Sequence, residues 1–239
     1  MRRTKIICTM GPATDNEDVL RDLMLNGMDV ARLNFSHGSH EEALERINRI
    51  KKVRDELNIP VAILLDTKGP EVRIKDFKEG KVELKEGQKF TLCTDDVVGD
   101  ENQVSITYAN LPNDVKVGNK ILIDDGLIEM EVISVKNSKI LCKVKNGGVV
   151  SNKKGVNVPN VALSMPYMSQ KDIDDILFGI EQDVDFIAAS FVRTADDIRE
   201  IKTLLRDNGG RDIRIIAKIE NAEGVDNIDD IIRETHGIM

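Results

Sequence analysis

The chain has 239 residues, enough for one large domain or two smaller ones, and 41% hydrophobic residues suffice for a buried core. Charged residues make up 32%, and a net charge of −8 with lysines and arginines scattered along the chain leaves no basic stripe for nucleic acid or anionic lipid. No apolar run approaches the roughly 20 residues that span a bilayer, and the opening MRRTKIICTMGP has too short an apolar core for a signal peptide, so a cytoplasmic protein is expected. Cys8, Cys93 and Cys142 are odd in number, widely spaced and set in apolar strand-like contexts, which suits reduced packing thiols rather than disulfides or a zinc site.

Residues 5–10 (KIICTM) read as a short strand closed by Gly11-Pro12, and Thr14 followed by Glu17 predicts a capping box opening a helix with Val19, Leu20, Leu23 and Met24 on its apolar face. A second strand over 28–35 carries Arg32, Asn34 and Ser36 at alternate positions, so three polar groups share one face. Ser39 and Glu42 open the next helix, whose apolar stripe is Leu44, Ile47, Ile50, Val53 and Leu57. The third strand, 61–66, is apolar until it ends in Asp66.

From about residue 71 the helical period disappears. Alternating segments replace it (KVELK, KFTLCT, VSITY, KILID, LIEMEV, KILCKV), separated by hairpin and turn signals at Glu86-Gly87, Asp125-Gly126, Asn137-Ser138 and Asn146-Gly147-Gly148. The expected organisation is therefore a βα series over 1–70, an inserted small all-β domain over 71–164, and the βα series resumed over 165–239. In the last part Ser169/Asp172 and Thr194/Asp197 read as capping boxes, and strands are expected over 184–190 and 213–219. A final helix is expected to carry Val225, Ile228, Ile231 and Ile232, with Gly237-Ile238-Met239 as the beginning of a sixth strand.

A βα repeat of this spacing fits an open doubly wound sheet or a (β/α)8 TIM-type barrel, and periodicity alone does not separate them. Polar groups end nearly every strand: Arg32, Asn34 and Ser36, then Asp66 and Lys68, Ser190, and finally Lys218 with Glu220. Four adjacent ends of an open sheet spread over roughly 15 Å, whereas a barrel bends them around one ligand. No G-x-G-x-x-G turn follows the first strand, which removes the usual argument for a dinucleotide fold. Lys218 and Glu220 lie two apart at the end of an apolar strand and share a face. Charges there need a metal ion, an anionic ligand or each other, the last being a purely structural ion pair. Arginine, lysines and carboxylates converging in this way suit the handling of phosphate through a divalent cation, and the oxygens of Asn34, Ser36, Asp66 and Thr67 suit a monovalent one.

Five segments carry a family resemblance: DVARLNFSHG (29–38), LLDTKGPEVR (64–73), KKGVNVP (153–159), DFIAASFVR (185–193) and IAKIEN (216–221). In this order they resemble pyruvate kinase over essentially the whole chain. The resemblance implies a (β/α)8 barrel, incomplete in this chain, interrupted by a β-rich lid. It also implies phosphoryl transfer from phosphoenolpyruvate to ADP, giving pyruvate and ATP in glycolysis. It puts Arg32 at the phosphoryl group and makes Lys218 the catalytic lysine. Glu220 becomes a ligand of Mg²⁺ (or Mn²⁺), and Asn34, Ser36, Asp66 and Thr67 become ligands of K⁺. His37, Arg73 and Lys154, with Asn34, are implied nucleotide contacts, and Glu71 marks dependence on K⁺. Full-length family members are commonly homotetramers.

The family pattern continues after GIM with a segment like VARGDLG, whose aspartate is a second Mg²⁺ ligand, so the 239 residues alone are expected to be inactive or nearly so, and marginally stable. At Ser164-Met165-Pro166-Tyr167 the sequence departs from the LPGIT-like segment of the family, a difference expected to alter packing only. Two alternatives stay open: a metal-dependent lyase or aldolase forming a pyruvate enolate, and a non-catalytic fragment with partial ligand contacts.

Overall fold

The computed structural model describes residues 3–239. In chain order the elements are β1 (Ile7–Thr9), α1 (Glu17–Leu25), β2 (Val30–Asn34), α2 (His40–Leu57) and β3 (Ala62–Asp66). Then come β4 (Val72–Arg73), β5 (Lys81–Leu84), β6 (Lys89–Cys93), β7 (Gln103–Ser105), α3 (Leu111–Asp114), β8 (Lys120–Ile123), β9 (Ile128–Lys136), β10 (Lys139–Val144), β11 (Gly148–Ser151) and β12 (Gly155–Asn157). The chain closes with α4 (Gln170–Glu181), β13 (Phe186–Ala189), α5 (Ala195–Asp207), β14 (Arg214–Ala217), α6 (Ala222–Asp226), α7 (Ile228–Glu234) and β15 (Gly237–Ile238).

These elements form two compact units, one of residues 3–70, 167–220 and 224–239, the other of 71–166 with 221–223. The first holds a six-stranded parallel sheet in the order β1-β2-β3-β13-β14-β15. Each βα step moves to the next strand in the same direction, and the order never reverses. That is the singly wound progression of a β/α barrel, whereas a doubly wound sheet reverses at a switch point. The sequence left this choice to site chemistry; strand order settles it. The expected sixth strand is present as β15, paired with β14.

Helices of this unit start where the sequence places side-chain caps. Ser169 and Thr194 cap α4 and α5, each in a box closed by Asp172 or Asp197, and Ser39 caps α2. One cap differs from expectation: Asn16, not Thr14, opens α1, its side chain accepting the Asp18 amide, because Pro12–Thr14 forms its own 3-10 turn. Ile47, Ile50 and Val53 of α2 are buried against the sheet as their spacing requires. The last helix also differs, since it breaks at Asn227 into α6 and α7. The Asn227 side-chain amide donates to the Arg193 carbonyl, and of the expected apolar face only Ile231 is buried; Val225 and Ile232 are exposed.

The second unit has its own apolar core, including Phe90, Leu92, Ile121, Met130 and Ile140. Its seven-stranded sheet runs β4-β12-β8-β9-β10-β6-β7, antiparallel except for β6 with β7, and β5 pairs with β11 in a separate two-stranded sheet. Asp125-Gly126 and Asn137-Ser138 close hairpins as predicted. Glu86-Gly87 and Asn146-Gly147-Gly148 instead carry the chain between the two sheets. The expected all-β segment contains one short helix, α3.

Candidate active site

Alternation along the parallel strands sorts the side chains of the barrel unit. Ala31, Leu33, Ile63, Leu65, Ile187, Ala189, Ile215 and Ala217 belong to the core shared with the helices. Arg32, Asp66, Ser190 and Lys218 alternate with them and so face the other side of the sheet. Register keeps their strand ends level: Asp66 lies opposite Asn34 on one neighbour and Ala188 on the other, and Ala189 lies opposite Ala217.

Asp66 is the hub. Its carboxylate, 1% exposed, accepts Arg32 Nε at 2.6 Å, Lys218 Nζ at 3.0 Å and the Ser190 hydroxyl at 3.0 Å. Lys218 Nζ also donates to Ser190 Oγ at 2.9 Å and lies 3.4 Å from Glu220 Oε1. Arg32 Nη1 donates to Thr9 Oγ1 at 2.7 Å, which ties the end of β1 to the same cluster. Two cations and two carboxylates therefore meet at the mouth of the sheet, at the ends of buried strands. A carboxylate so enclosed is tolerated because it is paired and hydrogen-bonded on both oxygens.

Glu220, one-third exposed, is the outermost member. Its Oε2 accepts the Phe191 amide at 3.0 Å, and Phe191 sits just past β13 with φ of +55°, a conformation that bulky side chains rarely adopt. Among the described residues no three His, Cys, Asp or Glu side chains gather as a metal site. A divalent cation at Glu220 would thus have at most two carboxylates from these residues, which fits the way Mg²⁺ is usually held, by one or two carboxylates with waters and substrate phosphates.

β2 ends in Asn34, and the turn after it carries Ser36 and His37. Asn34 Oδ1 accepts the Ser36 amide at 2.9 Å, and the Phe35 amide donates to the Asp66 carbonyl at 2.9 Å. His37 is exposed. Thr67 is buried, its hydroxyl donating to the Ala188 carbonyl at 3.3 Å and accepting the Ser190 amide, while its carbonyl accepts the Ser190 hydroxyl at 2.6 Å. The oxygens of Asn34, Ser36 and Thr67 suit a monovalent cation. At Asp66 such an ion would share a carboxylate already engaged by Arg32 and Lys218.

Glu71, Arg73 and Lys154 belong to the second unit. Arg73 Nη2 lies 2.8 Å from Glu71 Oε2 and its Nη1 donates to the Lys153 carbonyl, and the hydrogen bond to the Glu71 carboxylate holds the guanidinium pKa above its ordinary value. Arg73 Nε is buried without a hydrogen-bond partner. Lys154 Nζ pairs with Asp124 at 2.9 Å.

Of the residues singled out from sequence, Arg32, Asp66, Lys218 and Glu220 are thus brought into one ion-paired cluster, beside which stand Asn34, Ser36 and Thr67. Ser190 was visible only as a polar strand end, and the structure makes it a partner of both Asp66 and Lys218. Thr9 and Phe191 gave no signal, since one contributes from the first strand end and the other through its backbone.

Comparison with known proteins bears on the whole chain. The family model described as "Pyruvate kinase, barrel domain" matches residues 1–239. Proteins named pyruvate kinase from Geobacillus stearothermophilus and Clostridium perfringens are 53% and 49% identical over 240 residues, and one from Staphylococcus aureus is 49% identical over 241. All of this chain is covered in each case, but 41% of the Geobacillus and Staphylococcus proteins and 51% of the Clostridium protein. The chain therefore spans about half the length, or less, of these relatives. With five sequence segments in order, a singly wound sheet and a match along its full length, the chain belongs to the pyruvate kinase family.

Proposed function

We propose that the protein transfers the phosphoryl group of phosphoenolpyruvate to ADP, and that the cluster around Asp66 is where this happens. The single observation that supports the reading most is the convergence of Arg32 and Lys218 on one buried carboxylate at the C-terminal ends of parallel strands. That is the end of a β/α barrel at which ligands are handled. Arg32 would grip the phosphoryl oxygens, for which a planar guanidinium is suited. Lys218 would neutralise charge as the bridging P–O bond breaks and electrons pass to the enolate oxygen, while a new P–O bond forms to the β-phosphate of ADP. The enolate then takes a proton at carbon to give pyruvate.

Glu220 would hold Mg²⁺ or Mn²⁺, which when bound supplies positive charge to phosphate oxygens. Asn34, Ser36, Asp66 and Thr67 would hold K⁺. Asn34 and His37 would contact the nucleotide. Arg73 and Lys154, two cations of the second unit, suit nucleotide phosphates, and Glu71 would set dependence on K⁺. A cytoplasmic location accords with three unpaired thiols.

The test is ³¹P NMR of phosphoenolpyruvate and ADP with Mg²⁺, K⁺ and the protein as its gene encodes it. ATP and pyruvate should form, and Lys218→Met should slow their formation by about 10³-fold, as loss of a transition-state donor does. Absence of ATP from the wild type, or full rate in Lys218→Met, would overturn the reading.

A further inference from the structure

We infer that Lys171, acting with Asp175 and His40, is a positioning residue for the turn after β2, and through it for the oxygens of Asn34 and Ser36. This rests on the reading of those two side chains as ligands of a monovalent cation. Lys171 and Asp175 stand four residues apart on α4, a helix that supplies no member of the cluster around Asp66. Lys171 Nζ donates to the Phe35 carbonyl at 2.8 Å and to Asp175 Oδ2 at 2.7 Å. Asp175 Oδ1 lies 2.7 Å from His40 Nε2, and the Asp175 side chain is 1% exposed.

Three contacts together fix the peptides on either side of Phe35. Its amide is held by the Asp66 carbonyl of β3 and the next amide, that of Ser36, by Asn34 Oδ1. The Phe35 carbonyl is held from the opposite side by Lys171. Below it the Phe35 ring is buried with Phe178 at 5.9 Å, and the His40 ring stacks on Phe178 at 4.4 Å. A buried carboxylate next to aromatic rings is expensive unless paired on both oxygens; Asp175 is paired on both, by Lys171, which reaches the turn, and by His40 at the start of α2. Without Lys171 the Phe35–Ser36 peptide loses this anchor to α4 and can rotate, carrying the Ser36 side chain and the Asn34–Ser36 bond with it.

The experiment compares wild type with Lys171→Met, Lys171→Arg and Asp175→Asn. Amide hydrogen exchange is read at Phe35 and Ser36, and Tl⁺, a K⁺ surrogate, is titrated by ²⁰⁵Tl NMR. Loss of one charge-assisted bond should speed exchange at both amides and weaken Tl⁺ binding by about tenfold in Lys171→Met. Lys171→Arg, which keeps a donor for Phe35, should restore most of both; Asp175→Asn should move both in the same direction by less. If Lys171→Met does not fold by circular dichroism, Asp175→Asn decides. Unchanged exchange in a folded variant overturns the positioning role, and accelerated exchange beside unchanged Tl⁺ affinity overturns its link to the cation ligands. If wild type binds no Tl⁺, the cation reading of Asn34 and Ser36 fails by itself, and the exchange result still decides whether Lys171 fixes the turn.

Discussion

Lys218 Nζ reaches across β13 to Asp66 Oδ1 at 3.0 Å, and its contact with Glu220, two residues further along the chain just past β14, is longer at 3.4 Å. The lysine's principal counterion is therefore on β3, and the same carboxylate also neutralises Arg32. A phosphate-bearing ligand arriving at these strand ends would share both cations with Asp66, so the pair is already in place before any ligand binds.

Asp66→Asn should consequently be more damaging than Lys218→Met. Removing the carboxylate takes from Arg32 and Lys218 their shared counterion and leaves only the longer contact to Glu220 on Lys218, and loss of one member of a buried pair costs about 3 kcal/mol. Removing Lys218 leaves Asp66 still bonded to Arg32 and Ser190. Urea denaturation of the two variants checks the order, and equal midpoints, or a wild-type midpoint for Asp66→Asn, would contradict it.

Thiol chemistry offers a second check. Cys142 is fully buried and its pKa is pushed up to about 12 by burial, and burial also raises that of Cys93, opposed by the Lys139 charge. Cys8 is only half-buried. At pH near 8 a disulfide reagent should label Cys8 first, and Cys93 and Cys142 should wait for unfolding. One common rate for all three in the native protein would show that the β-rich unit opens far more readily than its core suggests.

How much of this was legible in the sequence follows from where the information lies. The two-residue spacing of Lys218 and Glu220 at the end of the strand expected over 213–219 was readable without any structure, because the period of a strand is fixed, although β14 itself stops at Ala217. Which carboxylate Lys218 chooses depends on strand order and register, and those are set by the packing of α2, α4 and α5 between distant segments. The caps at Ser39, Ser169 and Thr194 are local and were readable; that at Asn16 was not, because Pro12 draws Thr14 into a separate turn. Phe191 escaped notice because it acts through its amide, which is common to every residue but proline.

Glu220→Gln should weaken Mn²⁺ binding by about tenfold or more, the scale of losses around a metal site. Its fold should survive, since the side chain is one-third exposed and an amide oxygen still accepts from Phe191. Electron paramagnetic resonance of free Mn²⁺ reads the affinity directly. Undiminished binding in the variant would remove Glu220 from the metal site.

Glu71→Lys tests the second unit. Glu71 is nearly buried and holds Arg73 at 2.8 Å, so a lysine there sets two cations side by side. If Glu71 governs dependence on K⁺, the variant should lose the difference between K⁺ and Na⁺ or Tris in phosphoryl transfer. It should also lower the stability of the unit, because a like-charge pair replaces an ion pair. Wild-type activity that is equal in K⁺ and Na⁺ would refute the first part, and an unchanged melting curve the second.

Gly69→Ala isolates the backbone behind the cluster. Gly69 has φ of +66°, and a Cβ added there would lie 2.5 Å from the Ser190 carbonyl oxygen, a backbone atom that cannot swing away. The left-handed conformation costs alanine about 1–2 kcal/mol, and overpacking adds about 1–3 kcal/mol more. The Gly69 amide is also anchored by Asp172 Oδ1 at 2.9 Å, so the turn cannot simply retreat, and the displacement must fall on Ser190. Ser190 in turn carries hydrogen bonds to Asp66 and from Lys218. The expected result is a loss of about 2–4 kcal/mol in urea denaturation together with weaker binding of any anion that Lys218 holds, whereas Gly80→Ala, which meets nothing within 4 Å, should show the conformational part alone. Equal losses in the two variants would mean that Gly69 is glycine for its φ and not for its approach to Ser190.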